Sequence, residues 1–249
     1  MTAFLAGIVT FVFTTVLTIA GVGAAFILIP VFLAFGIEIH TAMATALLLN
    51  AVAMSVASVR FVRHRLVVWP LAVPVLLVAS VLSPVGAWVG QGLDRTTLLW
   101  TFVAFLLLAA GVMLAHRPRP LRRQARMGPL LGVGAAVGGV AGFLGGLLGV
   151  GGGNVVVPAL VAMGVEPKKA SATTAFVVIF SSLTGFLAHA SMAGIHLPLL
   201  AWTVAGSAAG AQLGAWWMTD RLQGSQVKSV IGLVLVAIAA RVAWGLLFP

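Results

Sequence analysis

GVGGGNVVVPALVAMGVEPKKASAT, residues 149–173, repeats a passage met 128 positions earlier, GVGAAFILIPVFLAFGIEIHTAMAT, residues 21–45. No gap is needed to align them, and ten of the 25 positions coincide: Gly21/Gly149, Val22/Val150, Gly23/Gly151, Pro30/Pro158, Ala34/Ala162, Gly36/Gly164, Glu38/Glu166, Ala42/Ala170, Ala44/Ala172 and Thr45/Thr173. A chain this rich in Ala, Gly, Val and Leu gives roughly two or three coincidences by chance. The coincidences include three glycines and a proline, residue types that set backbone geometry. The matching extends outward: Pro70 falls on Pro198, and after a four-residue deletion SPVGAWVG (83–90) falls on SAAGAQLG (207–214). The chain therefore reads as a tandem duplication, residues 1–115 and 127–249, with each half breaking a helix at the same place. The halves are joined by HRPRPLRRQAR, residues 116–126, a basic linker expected on the cytoplasmic side.

Composition places the duplication in a membrane. Apolar residues make up 61% of the chain and charged residues 7%, against about 25% charged in soluble domains. Mean hydropathy is +1.18. Apolar runs of about the length that crosses a bilayer core cover residues 3–20, 41–59, 66–90, 97–115, 128–148, 170–188, 197–217 and 227–248. Two shorter runs, near 24–35 and 154–164, follow the glycine clusters. The first run carries no cleavage pattern and reads as a retained span. With no cysteine, disulfides, thiolate metal sites and cysteine nucleophiles are excluded. The formal charge of +10 sits in short loops between apolar spans, which signals membrane topology and argues against nucleic acid.

Topology follows from where Lys and Arg fall. If each glycine-broken segment and its short helix count as one span, the halves are parallel, and cytoplasmic and external basic residues number 8 and 5. If each broken segment turns back to its own side, the halves are inverted. Arg60, Arg63, Arg65, the five linker arginines, Lys168, Lys169, Arg221 and Lys228 then lie inside and only Arg95 outside, 12 against 1, with Arg241 within the last run. The positive-inside bias prefers the second arrangement. The expected fold is an all-α polytopic membrane protein of two inverted repeats, each of about four helical elements with a Gly-broken re-entrant or hairpin segment, and with both termini outside. Such repeats are a recurring plan of secondary transporters, whose substrate sits near the midplane between them.

The glycine clusters point to an anion. Gly149, Gly151, Gly152 and Gly153, followed by Asn154, can expose successive backbone N–H groups. A short helix starting there adds unsatisfied N–H groups and about half a positive charge. Gly21 and Gly23 repeat the cluster more weakly, because Ala24 and Ala25 replace two glycines. Thr45, Asn50, Thr173, Thr174, Ser181, Ser182 and Gln212 are candidate hydroxyl or amide donors to an oxyanion, weighed against helix packing and back-bonding to i−4 carbonyls. Glu38 and Glu166 precede apolar helices and are expected to complement helix N-termini rather than carry protons. His189 is expected at the interface and Arg241 turned to the surface. His40, His64 and His116 have no metal-ligand spacing.

GVGGGNVVVPAL, its degenerate copy GVGAAFILIPVF, and the ASATTAFVV and ATALLL segments that follow resemble the sulfite exporter TauE/SafE family. The resemblance covers nearly the whole chain. It implies a bacterial inner-membrane transporter of sulfite, sulfonates or related small organosulfur anions, generally outward. The expected function is a secondary transporter with a small anionic substrate, embedded in the lipid bilayer, without cofactor, metal or nucleic acid; a homo-oligomer is compatible with the sequence. A carrier of another small solute, an organic acid or metal cation, is the alternative, although cation pathways usually carry acidic or thiolate ligands. An enzyme is disfavoured because no His/Asp cluster falls within a span.

Overall fold

The computed structural model describes residues 2–91, 94–115, 127–148, 153–190 and 197–247. The linker 116–126 and the glycines at 149–152 lie outside the described residues. The first half contributes α1 (Thr2–Ala20), α2 (Ala25–Ala34), α3 (Ile39–Arg63), α4 (Trp69–Gln91) and α5 (Arg95–Ala115). The second contributes α6 (Met127–Leu148), α7 (Gly153–Ala162), α8 (Pro167–Ala190), α9 (Leu197–Trp216) and α10 (Gly224–Leu247). A π-helical turn, Trp217–Arg221, follows α9 and was not expected from the sequence. Helices α3, α8 and α10 start a few residues ahead of their apolar runs, because the polar first turns are helical too.

Three described segments are long and apolar enough to cross a membrane, Thr41–Arg63, Pro167–Leu187 and Gly224–Leu247. The outer surface is equally telling. Val81 is 70% exposed, Trp88 74% and Leu108 68%, a distribution that suits hydrocarbon rather than water. The interior is built largely of alanine, valine and leucine, with Phe32, Phe61 and Phe102 as its largest fully buried side chains.

The two short helices end alike. Gly36 and Gly164, repeat-equivalent, adopt φ of +77° and +90°. After α2, Gly36 N–H donates to Leu33 O (2.9 Å) and Ile37 N–H to Phe32 O (3.1 Å). After α7, Gly164 N–H donates to Val161 O (2.9 Å) and Val165 N–H to Leu160 O (3.0 Å). This is the Schellman ending, which satisfies the last carbonyls and needs a left-handed residue. Pro30 and Pro158 sit inside the same two helices.

Close approaches give the helix directions. Gly7 lies against Trp202 and Gly206, Gly210 against Phe11, and Gly214 against Thr15 and Thr18, so α1 and α9 run parallel. Gly134, Gly138 and Gly142 meet Leu71 and Pro74, Val75, and Ala79, so α6 and α4 also run parallel. Both seams are backbone-to-backbone contacts permitted by small residues. Helices α3 and α8 run antiparallel: Gly185 lies beside Leu47, and Ser182 bonds Asn50.

One end of the bundle gathers charge. Arg60, near the end of α3, donates from Nε to Thr219 Oγ1 (2.8 Å) and pairs with Asp220 in the π turn. Lys168, at the start of α8, donates to Thr219 O (3.1 Å). Desolvation opposes ionisation of Asp220, but a side-chain hydrogen bond with Thr219 and the Arg60 guanidinium outweigh it and hold its pKa below the ordinary carboxylate value.

Candidate functional site

The starts of α2 and α7 face a common cavity of about 210 Å³. Gly23, Ala25 and Phe26 line it from the first half's break, and Gly153 and Asn154 from the second's. Asn50, Met43 and Leu47 of α3 and Val178, Ser181, Ser182 and Gly185 of α8 complete most of the wall. None of the described lining residues carries a charge. Two helix N-termini therefore dominate the local electrostatics, each contributing the positive end of its dipole.

The first break is held by a buried relay. Ala24 N–H donates to Asn50 Oδ1 (2.7 Å), and Asn50 Nδ2 donates to Ser182 Oγ (2.7 Å). Asn50 is 4% exposed and Ser182 3%. The side chain thus caps α2 from another helix and ties it to α8. Gly23 makes this possible with φ +82° and no Cβ; a Cβ would stand 2.8 Å from Asn50 Cγ. A larger residue at that position would occupy the space of the amide.

The second break is built differently. Gly153 and Asn154 are buried at the start of α7. A Cβ on Gly153 would lie 2.8 Å from both Val178 Cγ2 and Val22 O, so α7 begins hard against α8 and the opposite break. Asn154 Oδ1 is buried and has no hydrogen-bond partner among the described residues. Asn154 is 3% exposed and lines the cavity. Ser181 Oγ donates to Val178 O (3.2 Å).

Of the residues singled out in the sequence, the cavity gathers Gly23, Asn50, Gly153, Asn154, Ser181 and Ser182. Gly149, Gly151 and Gly152 lie outside the described residues. Five others lie outside the cavity lining. Gly21 backs onto Ser171, whose hydroxyl donates to Ile19 O (2.8 Å). Thr45 is buried, and Thr173 accepts the Val68 N–H (3.0 Å), fixing the connection into α4. Thr174 is buried without a partner among the described residues, and Gln212 is exposed on α9. The acidic pair behaves as expected for helix starts: Glu38 accepts from Thr41 N–H (3.0 Å) and Glu166 pairs with Lys169 (3.4 Å). Arg241 is exposed on α10.

Val178 escaped sequence reasoning because an apolar residue in an apolar helix carries no signal. The repeat offset would have found it, since Val178 occupies the position equivalent to Asn50.

The profile of the sulfite exporter TauE/SafE family matches residues 5–242. The chain is 24% identical over 256 residues to the Bacillus subtilis protein named "Probable membrane transporter protein YunE", covering 92% of this chain and 93% of that one. A similarly named membrane transporter of Methanocaldococcus jannaschii is 23% identical over 191 residues, 73% of this chain and 70% of its own. A shorter stretch of 70 residues, 28% of this chain, is 43% identical to "Sulfite exporter TauE/SafE family protein 1" of Arabidopsis thaliana and covers 14% of that protein. The family profile spans both breaks and all but the ends of the bundle: this chain is a multi-pass membrane transporter, not an enzyme, and belongs to the TauE/SafE sulfite exporter family.

Proposed function

We propose that the protein is a secondary exporter of small sulfur-containing anions such as sulfite or sulfonates, held in the cavity between the two helix breaks. The observation that carries this reading is the convergence of two helix N-termini on a largely apolar cavity whose described lining holds four neutral polar side chains, Asn50, Asn154, Ser181 and Ser182. Such a site stabilises negative charge with backbone dipoles and neutral donors. Among its described residues it offers a metal cation neither carboxylate nor thiolate. The cavity, at about 210 Å³, has room for a small anion with part of its hydration.

The two halves, residues 1–115 and 127–249, act as inverted repeats in a bacterial inner membrane, and alternating access is a rocking of one against the other. Helix directions support this. Equivalent helices α3 and α8 run antiparallel, through the pairs Asn50–Ser182 and Leu47–Gly185. Arg60, Lys168 and the π turn meet at one end, the end that the positive-inside bias assigns to the cytoplasm.

Two experiments test the reading. Proteoliposomes loaded in parallel with sulfite, sulfate, acetate and nickel are expected to release sulfite by a saturable route. Saturable movement of nickel alone contradicts the anion site. Single cysteines near the two termini are expected to react with impermeant maleimide only from outside intact cells. Labelling of either terminus only after permeabilisation of the membrane overturns the inverted topology.

A further inference from the structure

We propose that Arg60, Asp220 and the Thr219 hydroxyl form a latch that closes the cytoplasmic end of the transport route and parts each time the cavity opens to that side. The proposal goes beyond the exporter reading above and takes its sidedness from the topology given there.

Cavity and latch occupy opposite ends of the same two helices. α3 lines the cavity with Met43, Leu47 and Asn50, and α8, antiparallel to it, with Val178, Ser181, Ser182 and Gly185. Arg60 lies ten residues past Asn50 and Lys168 ten residues before Val178, about 15 Å along each helix. The interval is packed: Ala53, Met54 and Ala57 on α3 and Ala172, Thr174 and Ala175 on α8 are fully buried. Passage from the cavity toward this end therefore requires the helices to move apart.

Arg60 belongs to the first half and the π turn Trp217–Arg221 to the second, so a rocking of the halves pulls on this contact. The π turn, wider than an α turn, presents two groups to the guanidinium. Thr219 Oγ1 accepts from Nε (2.8 Å) and the Asp220 carboxylate from a terminal nitrogen. Lys168 donates to Thr219 O (3.1 Å) and holds the turn against α8. Such a fork fixes geometry. Partial exposure of the two side chains, 25% and 34%, keeps it weak enough to open.

The outer end is built otherwise. At the repeat offset, the position equivalent to Arg60 is Ala188, which has no charge to offer. Asp94 and Arg95 follow α4 as Asp220 and Arg221 follow α9. Asp94, however, accepts from the Thr97 N–H (3.1 Å) and caps α5. One acidic residue starts a helix; its counterpart holds the two halves together.

The chain has no cysteine, so engineered thiols report alone. Thr174→Cys places a thiol of similar size on the buried stretch between cavity and latch. In inside-out membrane vesicles it is expected to react slowly with impermeant maleimide, and about three- to fivefold faster when Arg60→Ala or Asp220→Asn is added. The protein carrying both changes is expected to label no faster than Arg60→Ala alone, because one latch is lost once. Unchanged labelling in both variants, or additive acceleration, overturns the latch. A purely structural role is separated by Arg60→Cys with Asp220→Cys: bridging the pair with a short cleavable thiol cross-linker is expected to stop sulfite efflux from proteoliposomes, and cleavage to restore it. Undiminished efflux by the bridged protein overturns the proposal. Accelerated labelling in intact cells but not in inside-out vesicles overturns its cytoplasmic placement. If the wild type moves no sulfite, the exporter reading fails, and the labelling, which needs no substrate, still decides the latch.

Discussion

Gly23→Ala is expected to destabilise the protein by about 2–5 kcal/mol and to abolish transport by whatever fraction still folds. Two costs combine. At φ +82° a side chain is held in the left-handed region, at about 1–2 kcal/mol. The new Cβ also meets the Asn50 amide, with Cγ only 2.8 Å away. Moving that amide leaves the Ala24 N–H without its acceptor in a buried setting, at about 1–3 kcal/mol more. Gly36→Ala separates the two effects. Gly36 has φ +77° and nothing within 4 Å of its would-be Cβ, so only the backbone cost of about 1–2 kcal/mol is expected. Denaturation of both variants in one detergent measures the difference. Equal losses would show that the Gly23–Asn50 contact contributes nothing.

Asn50 yields the second large effect, and two substitutions read different parts of it. Asn50→Leu keeps the branching at Cγ but strands both Ala24 N–H and Ser182 at once; about 2–5 kcal/mol of stability is expected to go. Asn50→Asp keeps an acceptor for Ala24, and the Ser182 hydroxyl can turn to donate to it, so the fold is expected to persist. Its carboxylate instead places negative charge on the cavity wall. Anion efflux is expected to fall by about an order of magnitude or more, an electrostatic effect enlarged by the low-dielectric surroundings. Initial rates in proteoliposomes, set against the melting temperature, distinguish the variants. An Asn50→Asp protein that folds and exports sulfite at the wild-type rate would contradict the anion pathway, and one that gains cation flux would reverse its sign.

Much of this was legible in the sequence because glycine and proline report backbone geometry directly. Gly36 and Gly164 coincide at the repeat offset and end two short helices with the same turn. Asn50 and Asn154 stood out because an amide in an apolar helix demands a partner. The threonines were harder to read. A hydroxyl can serve its own helix, a neighbour or a ligand, and Thr173 serves the Val68 amide 105 positions away. Gln212 turned out exposed, because the apolar run containing α9 gives no clue to which face looks inward. Val178 was invisible for a simpler reason: an apolar residue in an apolar helix looks the same in sequence whether or not it lines a cavity.

The glycine seams join the two halves. The first helix of each half packs along the fourth helix of the other, α1 on α9 and α6 on α4. A lone half would therefore carry two uncovered halves of what is in effect one interface, each complementary to the surface on a second copy. A half on its own would bury these seams only by clasping a second copy, and the covalent join through residues 116–126 supplies that partner within the same chain. The two halves differ where they face each other: one carries an asparagine, Asn50, at the position where the other carries a valine, Val178.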